Sequence, residues 1–191
     1  ASELDQYNKE RQLLEKDLLQ SILTKTKVHS DDPVLVLSGS NWHEGIIGIV
    51  AARLKDKFNK PVIIISLDGG IGKASARSIV GFDIGAVIIA ATQKEILLKG
   101  GGHKMAGGFS IKVENIDKLR DFVFQKFKNV NMDLTAERPL LLDSIISPSA
   151  VNLEFYNKIA TLSPFGSGNP EPRFIIENVK IINGKIVGEK H

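Results

Sequence analysis

The 191-residue sequence contains no cysteine, which excludes disulfides and thiolate metal sites. It also lacks the roughly 18 to 20 consecutive apolar residues that a membrane-spanning helix needs. Residues 1–12 are charged and carry no apolar core of a secretory signal. The net charge of +3 is modest, so it permits a polyanionic partner without requiring one. These absences predict a soluble, cytoplasmic protein with no membrane partner.

Hydrophobic periodicity predicts an α/β protein. Apolar residues at helical spacing indicate an amphipathic helix over 4–23, and a short apolar run indicates a strand over 33–39. A second helix over 43–58 and a buried-type strand over 61–68 follow. A strand, a helix and a strand within about 35 residues favour a βαβ unit with parallel strands.

The remaining elements alternate in the same way. Residues 69–79 are glycine-rich and then alternate small with polar residues, which suits an edge strand. We expect a helix over 83–98, a glycine-rich loop leading into the strand "GGFSIKV", and a helix over 115–128. A polar linker over 129–139, a strand over "LLLDSIIS" and a short helix then precede a predicted β-hairpin around Asn183-Gly184.

Three glycine-rich segments are candidates for ligand binding. In the first, 40–54, Gly45, Gly48 and Ala52 share one helix face, which lets that helix approach a strand or a ligand closely. Its N-terminus near Ser40 and Asn41 could present free N–H groups to an anion, but plain helix–sheet packing with a Ser or Asn cap is the favoured explanation. Trp42 stacks on a base in one interpretation and belongs to the core in the other.

The second segment, 69–78, carries Ser75, Arg77 and Ser78. The planar guanidinium of arginine donates two parallel hydrogen bonds to adjacent phosphate oxygens, and neighbouring hydroxyls add donors. These residues therefore predict a phosphate site. A solvated edge strand without a ligand is the alternative.

The third segment, 100–108, surrounds His103 with glycines. Gly101 and Gly102 would let the main chain approach a phosphate, and His103 and Lys104 would supply donors. A tight connection between a helix and a strand is the alternative. His103 is also a possible metal ligand, but no H-x-H or H-E-x-x-H pattern and no carboxylate cluster completes a site, so we expect no metal bound by this chain alone.

The motifs resemble a known family. "GGHKMAGGF" is similar to the Gly-Gly-His motif of the DHHA1 domain, an accessory domain of the DHH phosphoesterase superfamily. "NWHEGIIGIVAARL" and "GKASARSIVGFD" resemble flanking motifs of the RecJ-like exonucleases, in order and spacing. "SPFGSGNPEPRF" resembles the segment leading into their OB-fold domain, and "ASELDQYNKERQLLE" the helix that joins their catalytic and DHHA1 domains.

The resemblance implies a function in DNA repair and recombination. RecJ-like enzymes degrade single-stranded DNA from the 5′ end, with two Mn²⁺ or Mg²⁺ ions in the DHH domain activating water. The DHHA1 domain faces that centre and grips the DNA end. By position, Arg77 with Ser75 or Ser78 would hold the 5′ phosphate, and His103 would contact the phosphate near the scissile bond.

The resemblance also implies a division of the chain and an incomplete enzyme. We expect four parts: a connecting helix, the DHHA1 domain, a linker strand and helix, and the truncated start of an OB-fold domain, at 1–29, 30–131, 132–162 and 163–191. The four histidines are never adjacent, so the Asp-His-His motif is absent and this chain alone should not hydrolyse DNA. Its partners would be single-stranded DNA and the missing DHH domain.

One departure and two alternatives remain at this point. Gly85 stands where many relatives would carry a histidine after "GFDI", so the role of that position is open. The chain is alternatively the substrate-binding domain of another DHH phosphoesterase, acting on oligoribonucleotides or cyclic dinucleotides. It is otherwise a purely structural domain whose glycines serve packing.

Overall fold

The computed structural model describes residues 2–25, 32–130, 140–166, 168–180 and 182–184. The chain divides into two compact units, Ala1–Thr135 and Ala136–His191.

The first unit is a five-stranded mixed sheet with helices on both faces. Its elements are α1 (Ser2–Lys25), β1 (Leu35–Ser40), α2 (Glu44–Phe58), β2 (Val62–Asp68), β3 (Ile71–Arg77), α3 (Ile84–Gln93), β4 (Lys99–His103), β5 (Ala106–Lys112) and α4 (Ile116–Lys128). The strand order is β1-β2-β3-β5-β4. Strands β1 and β2 are parallel, as the βαβ pattern predicts, and the other pairs are antiparallel. The expected α/β fold class and the N-terminal helix are confirmed.

Alternating side chains divide the sheet between two hydrophobic clusters. On one face, α2 packs against β2 and β3 and α1 packs on α2, and the cluster there includes Val50, Leu54 and Ile64. On the other face, α3 and α4 cover the sheet, with Ile65 and Phe109 in the cluster. The α2 side of β3 is polar: its exposed or half-buried residues alternate with buried ones along the strand. This polar surface, continued over β5 and β4, is called the open face below.

Three expectations about individual elements were wrong. Strand β3 is the central strand and not an edge strand, because its polar residues line the open face while its other side is buried. Residues 99–103 form the edge strand β4 and not a loop, since they pair with β5 through a two-residue turn at Lys104 and Met105. Helix α3 ends at Gln93, and Glu95 then adopts a left-handed backbone with φ of 56°.

The second unit contains a two-stranded parallel sheet and one short α-helix within its described residues. Strands β6 (Ser144–Ile145) and β7 (Phe174–Ile175) pair, and α5 (Leu153–Ala160) lies between them in the chain. Phe155 of α5 meets Phe174 edge-on, with ring centroids 5.1 Å apart. The second strand of the hairpin predicted around Asn183-Gly184, and most of the predicted linker, lie outside the described residues.

None of the helices within the described ranges has both the length and the apolar character that a membrane crossing requires.

Candidate nucleic-acid interface

Three rows of residues cross β3, β5 and β4 on the open face. Residues paired directly across strands project on the same side of a sheet, so the strand register defines these rows. They are Arg77–Ala106–His103, Ser75–Gly108–Gly101 and Lys73–Ser110–Lys99. The middle row has two glycines and one hydroxyl, and the outer rows carry the cationic or imidazole side chains. The open face therefore has a flat floor of main chain between two rows of donors.

Arg77 is held in place by its neighbours. Its Nη1 donates to Ser75 Oγ at 3.1 Å and to the carbonyl of Ala76 at 2.9 Å. A Cβ built on Gly48 of α2 would lie 3.0 Å from both Arg77 Nη2 and Ser75 Oγ, so the bare glycine makes room for the guanidinium. No carboxylate within the described residues forms an ion pair with Arg77. The structure thus places Ser75 beside Arg77, where its hydroxyl orients the cationic guanidinium.

His103 closes the same row at the edge of the sheet. It ends β4, its side chain is exposed, and its Nδ1 accepts a hydrogen bond from the Met105 amide at 3.4 Å. In a neutral imidazole with that acceptor, Nε2 carries the proton and is the donor. With β5 between them, the Cα atoms of Arg77 and His103 are two interstrand spacings apart, about 10 Å.

The turn that carries Lys104 is anchored to the rest of the unit. The Lys104 carbonyl accepts from the Ile84 amide at 3.3 Å, and the Met105 carbonyl accepts from the Ser78 amide at 2.8 Å. The Lys104 side chain is exposed. The hairpin end is thereby fixed next to the start of α3, which keeps His103 in a defined position.

The glycines of β4 and β5 serve two different purposes. A Cβ on Gly101 would meet nothing within 4 Å, and one on Gly108 only the Ala74 carbonyl at 3.4 Å, so both glycines leave the open face flat. On Gly100 it would lie 2.8 Å from Ile88 of α3, and on Gly102 it would lie 2.6 Å from the Gly107 Cα. Packing therefore requires Gly100 and Gly102, and open space surrounds Gly101.

Gly85 has a structural explanation. A Cβ at this position would lie 2.8 Å from the His103 carbonyl oxygen and 2.9 Å from its amide nitrogen. The first turn of α3 consequently rests directly on the main chain of His103.

Two predicted site residues lie away from the open face. Ser78 is 1% exposed, and its Oγ donates to the Phe82 carbonyl at 2.6 Å, so this placement does not support a phosphate contact. Trp42 is half-buried, its ring packs over Gly39, and it belongs to the hydrophobic cluster around α2. That placement favours the core interpretation over base stacking.

The N-terminus of α2 is capped by His43, which the sequence did not predict as a cap. The helix begins at Glu44, and the His43 Nδ1 accepts from the Gly45 amide at 3.0 Å. The expected cap at Ser40 or Asn41 was wrong, because Asn41 instead turns the chain with a φ of 62°. Since His43 caps this end and Glu44 adds a negative charge, the anion site expected there has no support.

A groove at the other end of the open face was not predicted from the sequence. This groove, of about 620 Å³, is lined by Lys73, Lys99, Ser110 and Glu44 among others. Lys73 Nζ lies 2.8 Å from one Glu44 carboxylate oxygen and 2.9 Å from the other. The hydrogen bond to Glu44 raises the pKa of Lys73 above its usual value. The alternation of Lys73, Ser75 and Arg77 along β3 was the sequence signal that could have identified Lys73 as a site residue.

The described residues do not form a metal site. No group of three or more His, Asp or Glu side chains within them is arranged to hold an ion. Mg²⁺ and Mn²⁺ prefer several oxygen ligands, carboxylates above all. The carboxylates of Glu44 and Asp68 both act on Lys73, and Glu44 pairs with it directly. Neither belongs to a group of the described residues that could hold a metal ion, so the cationic rows of the open face suit an anion and not a metal.

The fold defines the first unit as a mixed α/β domain with one helix-covered and one partly open sheet face. The chain belongs to the DHHA1 domain family, whose model matches residues 31–129, and the RecJ OB domain model matches residues 142–191. The resemblance stated from the motifs is thus confirmed.

Similar proteins carry the name of single-stranded-DNA-specific exonuclease RecJ. The chain is 31% identical to that of Bacillus subtilis over 98% of its own length and 24% of the relative, and 32% identical to that of Haemophilus influenzae over 99% and 34%. The chain therefore spans about a quarter to a third of these curated relatives.

Solved structures agree with the fold. The crystal structure of RecJ in complex with Mg²⁺ from Thermus thermophilus matches with a TM-score of 0.75 and 28% identity, over 90% of this chain and 26% of that one. A structure of exonuclease RecJ bound to manganese matches with a TM-score of 0.58 and 28% identity, over 66% of this chain and 31% of that one.

Proposed function

We propose that this chain is the DNA-binding portion of a 5′-to-3′ single-stranded-DNA-specific exonuclease that acts in DNA repair and recombination in the cytoplasm. The observation that carries the proposal is the Arg77 guanidinium, aligned by Ser75 at 3.1 Å and without a carboxylate partner among the described residues. A guanidinium fixed in this way is preorganised for a terminal phosphate, which accepts two parallel hydrogen bonds. The matches to RecJ exonucleases and to the RecJ OB domain support a DNA strand as its source.

His103 would contact the next phosphate, the one near the scissile bond. It lies in the same row as Arg77, so one strand crossing β5 reaches both side chains. Gly101 lies in the neighbouring row and leaves space for the sugar-phosphate backbone, while Gly102 closes the hairpin and Lys104 adds a cation beyond His103. In this arrangement the chain binds and orients the 5′ end, which lowers the entropy cost of attack at the next phosphodiester.

Hydrolysis would require a metal-binding DHH domain as the partner of this chain. Related RecJ structures were solved in complex with Mg²⁺ or Mn²⁺. The described residues of this chain do not fit such ions. We therefore propose that the metal ions belong to the DHH domain, that this chain binds none, and that it does not hydrolyse DNA by itself. The four-part division given above, with boundaries after residues 29, 131 and 162, stays a prediction.

The test is a fluorescence-anisotropy titration of the 191-residue chain with a short single-stranded oligonucleotide, carrying either a 5′ phosphate or a 5′ hydroxyl. The proposal predicts tighter binding of the phosphorylated end, and loss of that preference in Arg77→Ala. Arg120→Ala is the matched control, because Arg120 lies on α4 at the opposite face and pairs with Asp117.

Equal affinity for the two ends in the unmodified chain would contradict the proposal. Preference for a cyclic dinucleotide or an oligoribonucleotide over DNA would instead identify another phosphoesterase class. Arg77 is half-buried at a strand end and forms no ion pair among the described residues, so Arg77→Ala should remain folded and the comparison interpretable.

A further inference from the structure

We propose that the groove between Lys73 and Lys99 is a second strand-binding subsite, which holds a phosphate several nucleotides downstream of the one at Arg77. The inference rests on the proposed function, because it extends the same strand along the same face. The subsite consists of the third cross-strand row, Lys73–Ser110–Lys99, with Glu44 at its rim.

The position of the groove fits a continuing strand. Lys99 lies four residues before His103 on β4, and Lys73 four residues before Arg77 on β3. At about 3.3 Å per residue, each separation is about 13 Å. The two donor rows are thus parallel and too far apart for one phosphate to contact both, but a strand of a few nucleotides spans them.

The surface between the rows presents no obstacle. Gly101 and Gly108 occupy the middle row, and a side chain added at Gly101 would meet nothing within 4 Å. A strand that leaves His103 can therefore lie against the main chain on its way to Lys99. Packing explains the absence of a side chain at Gly100 and Gly102. It does not explain that absence in the middle row.

The charges in the groove favour an anion and also limit its affinity. Lys99 has no ion-pair partner among the described residues, and its row neighbour Ser110 supplies a hydroxyl. Lys73 is held by the Glu44 carboxylate. An incoming phosphate must share Lys73 with that carboxylate and tolerate its negative charge. Glu44 is accordingly a counter-ion of Lys73 that weakens strand binding.

The experiment compares a 5′-phosphorylated dinucleotide with a 5′-phosphorylated hexanucleotide, titrated into the chain at several salt concentrations. Lys99→Ala should weaken hexanucleotide binding roughly three- to five-fold, in the range of an exposed ion pair, and leave dinucleotide binding unchanged. For this variant, the slope of log affinity against log salt concentration should be shallower by about 0.7, since one phosphate contact is lost. Glu44→Gln should strengthen hexanucleotide binding alone.

Lys118→Ala is the matched control, an exposed lysine of α4 on the opposite face, and should change neither affinity. Equal weakening of both oligonucleotides by Lys99→Ala, or no weakening of either, would overturn the subsite. Arg77→Ala separates the two proposals. If it weakens both oligonucleotides while Lys99→Ala has no effect, the subsite is wrong and the proposed function stands. If Arg77→Ala changes nothing, the proposed function fails and the subsite fails with it.

Discussion

Gly48 of α2 lies directly against the Arg77 guanidinium, so that a Cβ on Gly48 would be 3.0 Å from Arg77 Nη2. Helix α2 therefore limits where the Arg77 guanidinium can lie. The absence of a side chain at Gly48 leaves the space that the guanidinium occupies. Ser75 Oγ lies at the same distance from that Cβ position, so both donors of the candidate phosphate site pack against Gly48.

Gly48→Ala is expected to preserve folding while weakening phosphate binding. Alanine in a helix interior gains up to about 1 kcal/mol over glycine, which offsets the new contact with a flexible arginine tip. The displaced guanidinium should bind a 5′-phosphorylated oligonucleotide several-fold more weakly. Thermal unfolding and anisotropy measure the two effects separately. Gly45→Ala, on the same helix but next to His43, should leave the affinity unchanged; if it weakened binding as much as Gly48→Ala, the positioning role would be wrong.

Adjacent glycines of β4 should respond in opposite ways to the same substitution. Gly102→Ala places a Cβ 2.6 Å from the Gly107 Cα, so we expect destabilisation of about 2 kcal/mol as the hairpin is forced apart. Gly101→Ala meets open space and should leave the free energy of unfolding within about 0.5 kcal/mol of its original value. Urea unfolding measures both.

Gly101→Ala should nevertheless weaken oligonucleotide binding, because its methyl group projects from the floor that the strand would cross. Unchanged affinity in a folded Gly101→Ala protein would show that the strand does not lie against β4.

His103→Ala should separate the contribution of His103 to phosphate binding from that of Arg77, which lies at the other end of the row Arg77–Ala106–His103. Its side chain is exposed and makes one long hydrogen bond, so the melting temperature should change little. Binding of a 5′-phosphorylated dinucleotide should weaken, whereas a 5′ mononucleotide, which reaches Arg77 alone, should bind as before. His103→Asn keeps a donor and should recover part of the loss. Weakening of the mononucleotide by the same factor would contradict a separate phosphate contact.

Glu15 should stabilise the docking of α1. Its side chain is 7% exposed and pairs with Arg11 at 3.2 Å and with Arg53 of α2. Glu15→Gln is expected to cost about 1 to 2 kcal/mol in urea unfolding, because a buried charge-assisted contact is lost. Glu10→Gln, an exposed change on the same helix, should cost less than about 0.5 kcal/mol. Neither should alter oligonucleotide affinity, since both lie away from the open face.

The sequence predicted the helices and the parallel strand pair well, because periodicity and short apolar runs are local signals. It failed at β3, whose central position depends on pairing with β5 across the intervening α3 and β4, and at β4, whose dense glycines hide a strand that pairs locally with β5. Polar alternation in β3 was the correct local pattern for a strand with one open side. Only the tertiary arrangement shows that the open side belongs to the centre of a sheet and not to its edge.

The residues of the candidate site were likewise predictable from the sequence only in part. Arg77 and Ser75 were identifiable from their chemistry, and their spacing of two places them on one face of a strand. Ser78 follows the strand, where its direction depends on the turn toward Phe82, so its burial was not readable from the sequence. The Lys73–Lys99 groove combines two strands far apart in the chain, which no local motif connects.

The most direct test of the central claim is an NMR titration of the ¹⁵N-labelled chain with a 5′-phosphorylated single-stranded hexanucleotide. We expect the largest amide shifts on the open face, from Lys73 to Arg77 and from Lys99 to Gly108, with small shifts along α4. A change in the Arg77 Nε–H resonance should accompany the binding of the phosphorylated end and be absent with the 5′ hydroxyl. Shifts concentrated on the α3 and α4 face, with the Arg77 resonance unmoved, would contradict the account.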